Sequence, residues 1–488
     1  MLIIGLLLKY FRPNSLPYTA FIANIAHMTF YYKVPIILLF LLIVSSCASY
    51  YELNLEFNQK FQQGNLAAAE KFLDKNIKYA EGRSRFLYFA NQGVVDHMLG
   101  KYEESNEWLE KAYIFGEDFR ANAAIVAASF LVNPNIVTYK GEDHENLLLL
   151  YYKAINYLKL GDYSAALVEC RRLNNRLNSL SDKYKSDNKY KEDAFIHNLM
   201  GIIYEASKDY NNAFIAYRNA YKIYKEDYSR LFGFETPEQL KKDLLRSAYL
   251  TGFQNEVRFY EKEFDLTYQP SNPDAELVFF WHNGLGPIKA EWSINFTALP
   301  GGSGVVTFAN EDLGFNFPFP VNSDEEYNGI TDLKFFRVAF PKYVERTPLY
   351  DKANLTSKGV TYKMDLVEDI NAIAKKTLQE RMLQELGLGL LRAALKKVAE
   401  EQISKESEGL GLAVGILNAV TEKADTRNWQ TLPHSIYYQR VPLDLGNNEV
   451  VLSVSGENGS EQETFSFQAS KGVTIFQTYQ SLEFQKFN

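Results

Sequence analysis

A histidine at the end of an aromatic run is the first residue in this chain that could do chemistry. His282-Asn283-Gly284 closes the segment "ELVFFWH" (Glu276 to His282) and opens a turn. A general-base histidine needs an oriented partner and a nucleophile. No Gly-x-Ser-x-Gly and no reactive cysteine accompanies it, and hydrogen bonds that stabilise the turn are the structural alternative for His282 and Asn283. The second constellation is Asp425, Arg427 and Trp429 in "EKADTRNWQTLPHSI". A guanidinium fork beside an aromatic face suits an anionic sugar or peptide. In the structural reading Arg427 satisfies the last carbonyls of a helix, Asp425 pairs with it or a neighbour, and Trp429 and Leu432 anchor the chain to a sheet, with Pro433 starting the next strand. The six histidines, at 27, 97, 144, 197, 282 and 434, form no His-x-x-x-His pair, and there is no Cys-x-x-Cys. No metal and no cofactor is expected, and an enzyme is the less favoured reading.

The chain carries 488 residues, 46% apolar and 15% aromatic, with a net charge of −8. That is a globular composition of more than one core, without a basic footprint for nucleic acid. The apolar run Val34–Val44, 11 residues behind Lys33, is too short to span a bilayer and suits a secretory signal. Val44-Ser45-Ser46-Cys47 resembles the lipobox of bacterial lipoproteins, which implies that Cys47 is acylated and becomes the new N-terminus. Met28 offers a signal of 19 residues; residues 1–46 are set aside as a removed segment. Acylation of Cys47 leaves Cys170 without a disulfide partner; its position in the repeats suits a small buried hydrophobe.

Residues 47–265 repeat a pattern. Gly93, Gly100, Tyr102, Ser105, Leu109 and Ala112 recur at matching offsets as Ala154, Gly161, Tyr163, Ala166, Cys170 and Leu173. They recur again as Gly201, Lys208, Tyr210, Ala213, Tyr217 and Ala220, with Tyr204 on the first helix, and more loosely through Gly64, Leu66, Ala69 and Leu73. This resembles the tetratricopeptide (TPR) repeat, a stack of antiparallel helix pairs. Small residues allow close helix approach, and the Gly-Asp-Tyr or Gly-Lys-Tyr turn takes positive φ. Residues 133–146 read as an interrupting loop. Thr236, Pro237 and Gln239 read as the capped start of a last degenerate pair, closing near Phe264. The groove of such a stack binds a peptide or protein partner, or packs on a neighbouring domain of its own chain.

After a linker at 266–273 the pattern changes to strands, about 276–366, with "PGGSG" as a turn rather than a phosphate cradle. Helices are expected over about 367–424, as a hairpin packed on a sheet; insertion at the membrane interface or self-assembly is the alternative. Strands return over about 434–480 in the manner of sandwich hairpins. The fold class is therefore α+β multidomain: a TPR-like α-solenoid, then a β-rich, sandwich-like domain at 274–488 interrupted by a helical hairpin.

"FWHNGLGPIKAE", "RVAFPKY", "VEDINAIAKKTLQER" and "EKADTRNWQTLPHSI" together resemble a family of bacterial lipoproteins with N-terminal TPR repeats. The resemblance covers the mature chain and implies architecture and location, with an association to cell-envelope and peptidoglycan functions; it implies no chemistry. The expected function is a lipid-anchored envelope scaffold or adaptor that binds a protein partner through its repeats. Its expected place is the outer membrane, facing the periplasm, since Ala48 rather than Asp follows the cysteine. The alternative is a glycan- or peptidoglycan-binding protein, or an unfamiliar enzyme, that uses His282, Asp425, Arg427 and Trp429 in one pocket.

Overall fold

Two glycines set how closely the helices of a pair approach. In the computed structural model a Cβ on Gly201 would lie 2.4 Å from the Tyr217 ring, and one on Gly93 would lie 2.5 Å from the Leu109 side chain. The structure describes residues 54–121, 137–183, 192–380 (less 272, 302–303, 313, 322–323 and 332–335), 382, 387, 389, 390 and 424–485. The expected signal segment, Cys47 and nearly all of the expected second helix of the hairpin lie outside them.

The helices come in antiparallel pairs: α1 (Leu55–Gln62) with α2 (Leu66–Lys75), α3 (Arg85–Met98) with α4 (Tyr102–Ala121), and α5 (Asp143–Lys159) with α6 (Tyr163–Lys183). Next come α7 (Ala194–Ala206) with α8 (Tyr210–Ile223), a short α9 (Ser229–Phe232), and α10 (Glu238–Thr251) with α11 (Gln254–Phe264). The turns inside all five pairs take positive φ, at Gly64, Gly100, Gly161, Gly252 and, without glycine, at Lys208. The expected cap on α10 is replaced. Pro237 sits at the cap position, and the Gln239 amide donates to the Asp365 carboxylate of a distant strand at 2.8 Å. The sequence could not reveal a cap supplied by tertiary contact.

The strands are β1 (Ala275–Asn283), β2 (Ile288–Pro300), β3 (Val305–Asn310), β4 (Phe315–Pro320), β5 (Phe336–Val344), β6 (Lys352–Ser357), β7 (Val360–Lys363), β8 (Asp365–Asp369), β9 (Ser435–Leu443), β10 (Gly446–Gly456), β11 (Gly459–Ala469) and β12 (Thr474–Ser481). A short α12 (Asp324–Thr331) precedes β5. Among the described residues they form three four-stranded sheets, ordered β12-β1-β9-β8, β11-β10-β6-β7 and β4-β3-β2-β5. Helix was expected from Val367, yet β8 runs to Asp369 and helical residues begin at 370, because pairing with β9 holds the segment extended. β12 does not extend the β10–β11 hairpin but pairs in parallel with β1.

The first two sheets make a sandwich. Leu277, Phe279 and Trp281 of β1 pack with Val441 and Leu443 of β9 and with Leu355, Val450 and Leu452 of the facing sheet. The third sheet buries Ile294, Phe296, Phe308, Val338 and Phe340 against Leu378 and Leu390, so the expected first helix of the hairpin lies on this sheet. Its edge strand β4 carries Pro318 and Pro320, which cannot donate to an added strand. No helix among the described residues is long and apolar enough to cross a membrane.

Candidate functional site: a solenoid face closed by its own sheet

Side chains alternate across a strand, so β1 has two faces to bury. With its odd-numbered residues in the sandwich, Val278, Phe280 and His282 face the helices and are just as buried. Helices α3 and α5 are likewise buried on nearly all sides, which a surface helix with one apolar stripe is not. The first helix of each pair, from α3 to α10, meets the β12-β1-β9-β8 sheet or the chain leading into it. That is the face a solenoid offers to a partner. Here the chain's own sheet fills it.

Three groups of polar contacts hold the seam. The first surrounds Arg440 of β9, 5% exposed. It pairs with Glu205 of α7 at 2.9 Å, Asp243 of α10 at 3.2 Å and Glu276 of β1 at 2.9 Å. Arg246 touches the same three carboxylates. Tyr217 donates to Glu205 and Tyr438 to Asp243, both at 2.8 Å. Burial pushes Asp243 up, against the pull of the two guanidiniums. Every charge here has partners, as a buried ion cluster requires.

The second group sits where α8 runs into a π-helical turn, Tyr224–Tyr228. The wider turn sends both tyrosines toward β8. Tyr224 donates to the Val367 carbonyl at 2.7 Å, at a break in the β8–β9 register, and Tyr228 donates to Glu368 at 3.2 Å. Glu368 also hydrogen-bonds Asp193, the N-cap of α7. Two carboxyls in such contact must share a proton, and burial, then Asp193, hold Glu368 well above the usual carboxylate range.

The third group contains the sequence-derived candidates. His282 Nε2 meets the Tyr151 hydroxyl of α5 at 2.8 Å, and its ring lies 5.8 Å from Tyr152 and 6.5 Å from His97. It bonds across the seam rather than within the turn, which corrects the turn-stabilising expectation. Burial, then the neighbouring His97, lower its pKa to about 3; burial lowers His97 to about 4 although Asn156 accepts from its ring at 2.6 Å. The Asn283 side chain donates to the Tyr350 carbonyl. Residues 425–431 form a strap. Arg427 is bidentate to Asp425 and donates to the Val137 carbonyl; the helix end it was expected to satisfy lies outside the described residues. Asn428 bridges the Lys289 amide and the Pro287 carbonyl. The Trp429 amide donates to Glu145 at 2.6 Å, its indole to Thr431, and its ring lies 6.0 Å from Tyr152. Gln430 accepts from Asn58 of α1, and Thr431 donates to Asn91 of α3.

His282 and Trp429 thus meet around Tyr152, while Asp425 and Arg427 pair at the outer end of the strap. All are committed to packing, not gathered around an open pocket, and the one-pocket alternative loses its geometry. Cys170 is a buried free thiol, and burial pushes it up. The repeat residues Gly93, Ala154, Ala166, Gly201, Ala213 and Ala220 are buried at helix contacts; Tyr102, Tyr163, Tyr204 and Tyr210 are half-buried. Reasoning from the sequence missed Glu205, Asp243, Arg440 and Glu368. Their signal was available: charges inside otherwise apolar helix and strand runs.

No family model and no curated relative matches the chain. Among solved structures it is similar to MamA from Desulfovibrio magneticus RS-1, 14% identical over 43% of this chain and 87% of that one, with a TM-score of 0.26. It is also similar to a tetratricopeptide repeat protein from Parabacteroides merdae, 12% identical over 46% of this chain and 81% of that one, with a TM-score of 0.21. At these scores the likeness carries no argument, and the TPR-like reading stands on the helix pairs themselves.

Proposed function

We propose that this chain is a lipid-anchored cell-envelope scaffold, facing the periplasm from the outer membrane, whose repeats and sandwich act as one rigid body. The observation that carries the scaffold reading is the closed seam: the usual ligand face of the repeats is spent on the chain's own sheet. A protein partner is then left the outward side of the stack. There a cleft between α4 and α6 keeps Ile114 and Leu160 exposed beside Glu103 and Glu107. The signal segment and the Val44–Cys47 lipobox support the anchor.

Pull-downs from cross-linked membranes test the partner. Ile114→Glu with Leu160→Glu is expected to lose proteins that the intact chain captures, and identical partner lists overturn the assigned surface. Palmitate labelling tests the anchor: a Cys47→Ala variant that still takes up label overturns it.

A further inference from the structure

The solenoid begins with a hairpin whose open end differs from the rest of the surface. α1 and α2 are joined by a three-residue turn, Gln63–Asn65, so the start of α1 lies beside the end of α2; Phe57 and Phe72 meet there at 6.3 Å. After α2 the chain makes a 3₁₀ turn, Ile77–Glu81. Ile77 is 53% exposed, Tyr79 41% and Leu55 38%. Lys78 lies over the Tyr79 ring at 5.6 Å. Around them Lys71, Lys75, Lys78 and Arg83, all exposed, outnumber Asp74, Glu81 and Glu56, the last next to Leu55 and paired with Lys60, in a chain whose net charge is −8. The turn is held by its own backbone, with the Gly82 amide on the Tyr79 carbonyl and the Arg85 side chain on the Gly82 and Glu81 carbonyls. Its apolar residues stay exposed on a firm support.

We infer that this end, Leu55, Ile77 and Tyr79 with their lysines and arginine, is a foot that seats on the anionic lipid surface holding the anchor. The inference rests on the lipid-anchor reading above. Cys47 and Leu55 lie eight positions apart, a tether of at most about 30 Å at 3.3–3.6 Å per residue. Leu55 and Ile77 share one end of one hairpin, so whatever surface holds Cys47 lies within reach of the foot. The chemistry matches that surface. An aliphatic and a tyrosine enter the headgroup layer, the lysine stems lie along apolar surface with their ammonium groups among phosphates, and the local positive charge meets negative lipid.

The test uses the full-length lipidated protein in vesicles of phosphatidylethanolamine and phosphatidylglycerol. An environment-sensitive thiol label is placed on Ile77→Cys, with Phe259→Cys on α11, at the other end of the stack, as reference. Cys170 is buried and Cys47 acylated, so neither competes for label. Nitroxide-bearing lipid is expected to quench the label at position 77 at least twofold more than at 259. Lys75→Glu with Lys78→Glu is expected to reduce the difference. Equal, weak quenching at both sites while the protein stays bound to vesicles overturns the foot and leaves the anchor standing. A label at 77 shielded from aqueous iodide yet untouched by nitroxide lipid overturns it too, and points to a protein on that surface. Failure of the chain to take up palmitate at Cys47 removes the anchor, and the foot with it.

Discussion

Arg440 of β9 reaches Glu205 of α7 at 2.9 Å, across the seam between the two halves of the chain. The two residues stand 235 positions apart, and both are nearly inaccessible to water. Asp243 and Glu276 complete a cage around one guanidinium, while Arg246 shields the carboxylates from each other. Halves joined in this way separate only by exposing several charges together with apolar surface.

Arg440→Met is therefore expected to destabilise the whole molecule by about 3 kcal/mol, because the buried Glu205 and Asp243 and the half-buried Glu276 lose one of their two guanidinium partners. Urea unfolding followed by far-ultraviolet circular dichroism reads the loss. Helices and sandwich are expected to unfold in one transition in the native chain, and hydrogen exchange in α10 and β1 to rise first in the variant.

Acid loosens the histidine part of the seam. His282 and His97 are neutral in the folded chain, with pKa values lowered from 6.5 to about 3 and about 4. The unfolded chain takes up these protons first, so this contribution is complete above pH 6.5 and is lost as pH falls from there toward 3. His282→Gln retains a partner for Tyr151 and removes one titration. The drop in urea midpoint between pH 7 and 4 is expected to shrink relative to the native protein.

The Asp193–Glu368 pair has the opposite sign. Glu368 keeps a proton in the folded state that the unfolded chain releases near pH 4.5. Stability from this site is present below that pH and declines as pH rises toward the folded value. Glu368→Gln supplies the shared hydrogen permanently. It is expected to raise stability at pH 8 by about 1–2 kcal/mol, comparable to restoring one buried hydrogen bond, and to leave pH 4.5 almost unchanged.

Three glycines separate packing from backbone strain. Gly201→Ala forces a Cβ into the Tyr217 ring and is expected to cost about 1–3 kcal/mol. Gly93→Ala meets Cδ2 and Cγ of the buried Leu109 at 2.5 and 2.6 Å and is expected to cost a similar amount. Gly100→Ala meets nothing, but its φ of +77 is left-handed, so about 1 kcal/mol is expected from the backbone alone. Thermal unfolding of the three variants gives the order.

What the sequence revealed and what it hid follow from the range of the forces involved. Helix pairs were legible because Gly93, Tyr102 and Ala112 act on neighbours within one repeat. Strands with alternating or unbroken apolar runs, such as β1, were legible for the same reason. "FNFPFP" did not read as a strand, since two prolines suit only an edge. The destination of the histidine and of the Asp425–Trp429 segment was hidden, because it depends on contacts hundreds of residues away. His282 looked like a turn residue until Tyr151 was placed beside it. Glu368 and Arg440 interrupt apolar runs, and nothing near them in sequence names the partners they meet.

The pairing of β1 sets a timetable. Its two neighbours are β9, beginning at Ser435, and β12, ending at Ser481, so the first strand of the β half waits for strands made much later in the chain. Until then Phe280 and the apolar flanks of α3 and α5 have nothing to cover them. Local helix pairs form early and nonlocal strands late. The growing chain therefore passes through an interval in which an assembled stack shows a sticky, sheet-shaped vacancy to its surroundings. A holding chaperone, or rapid delivery of β9 and β12, is part of what this architecture demands.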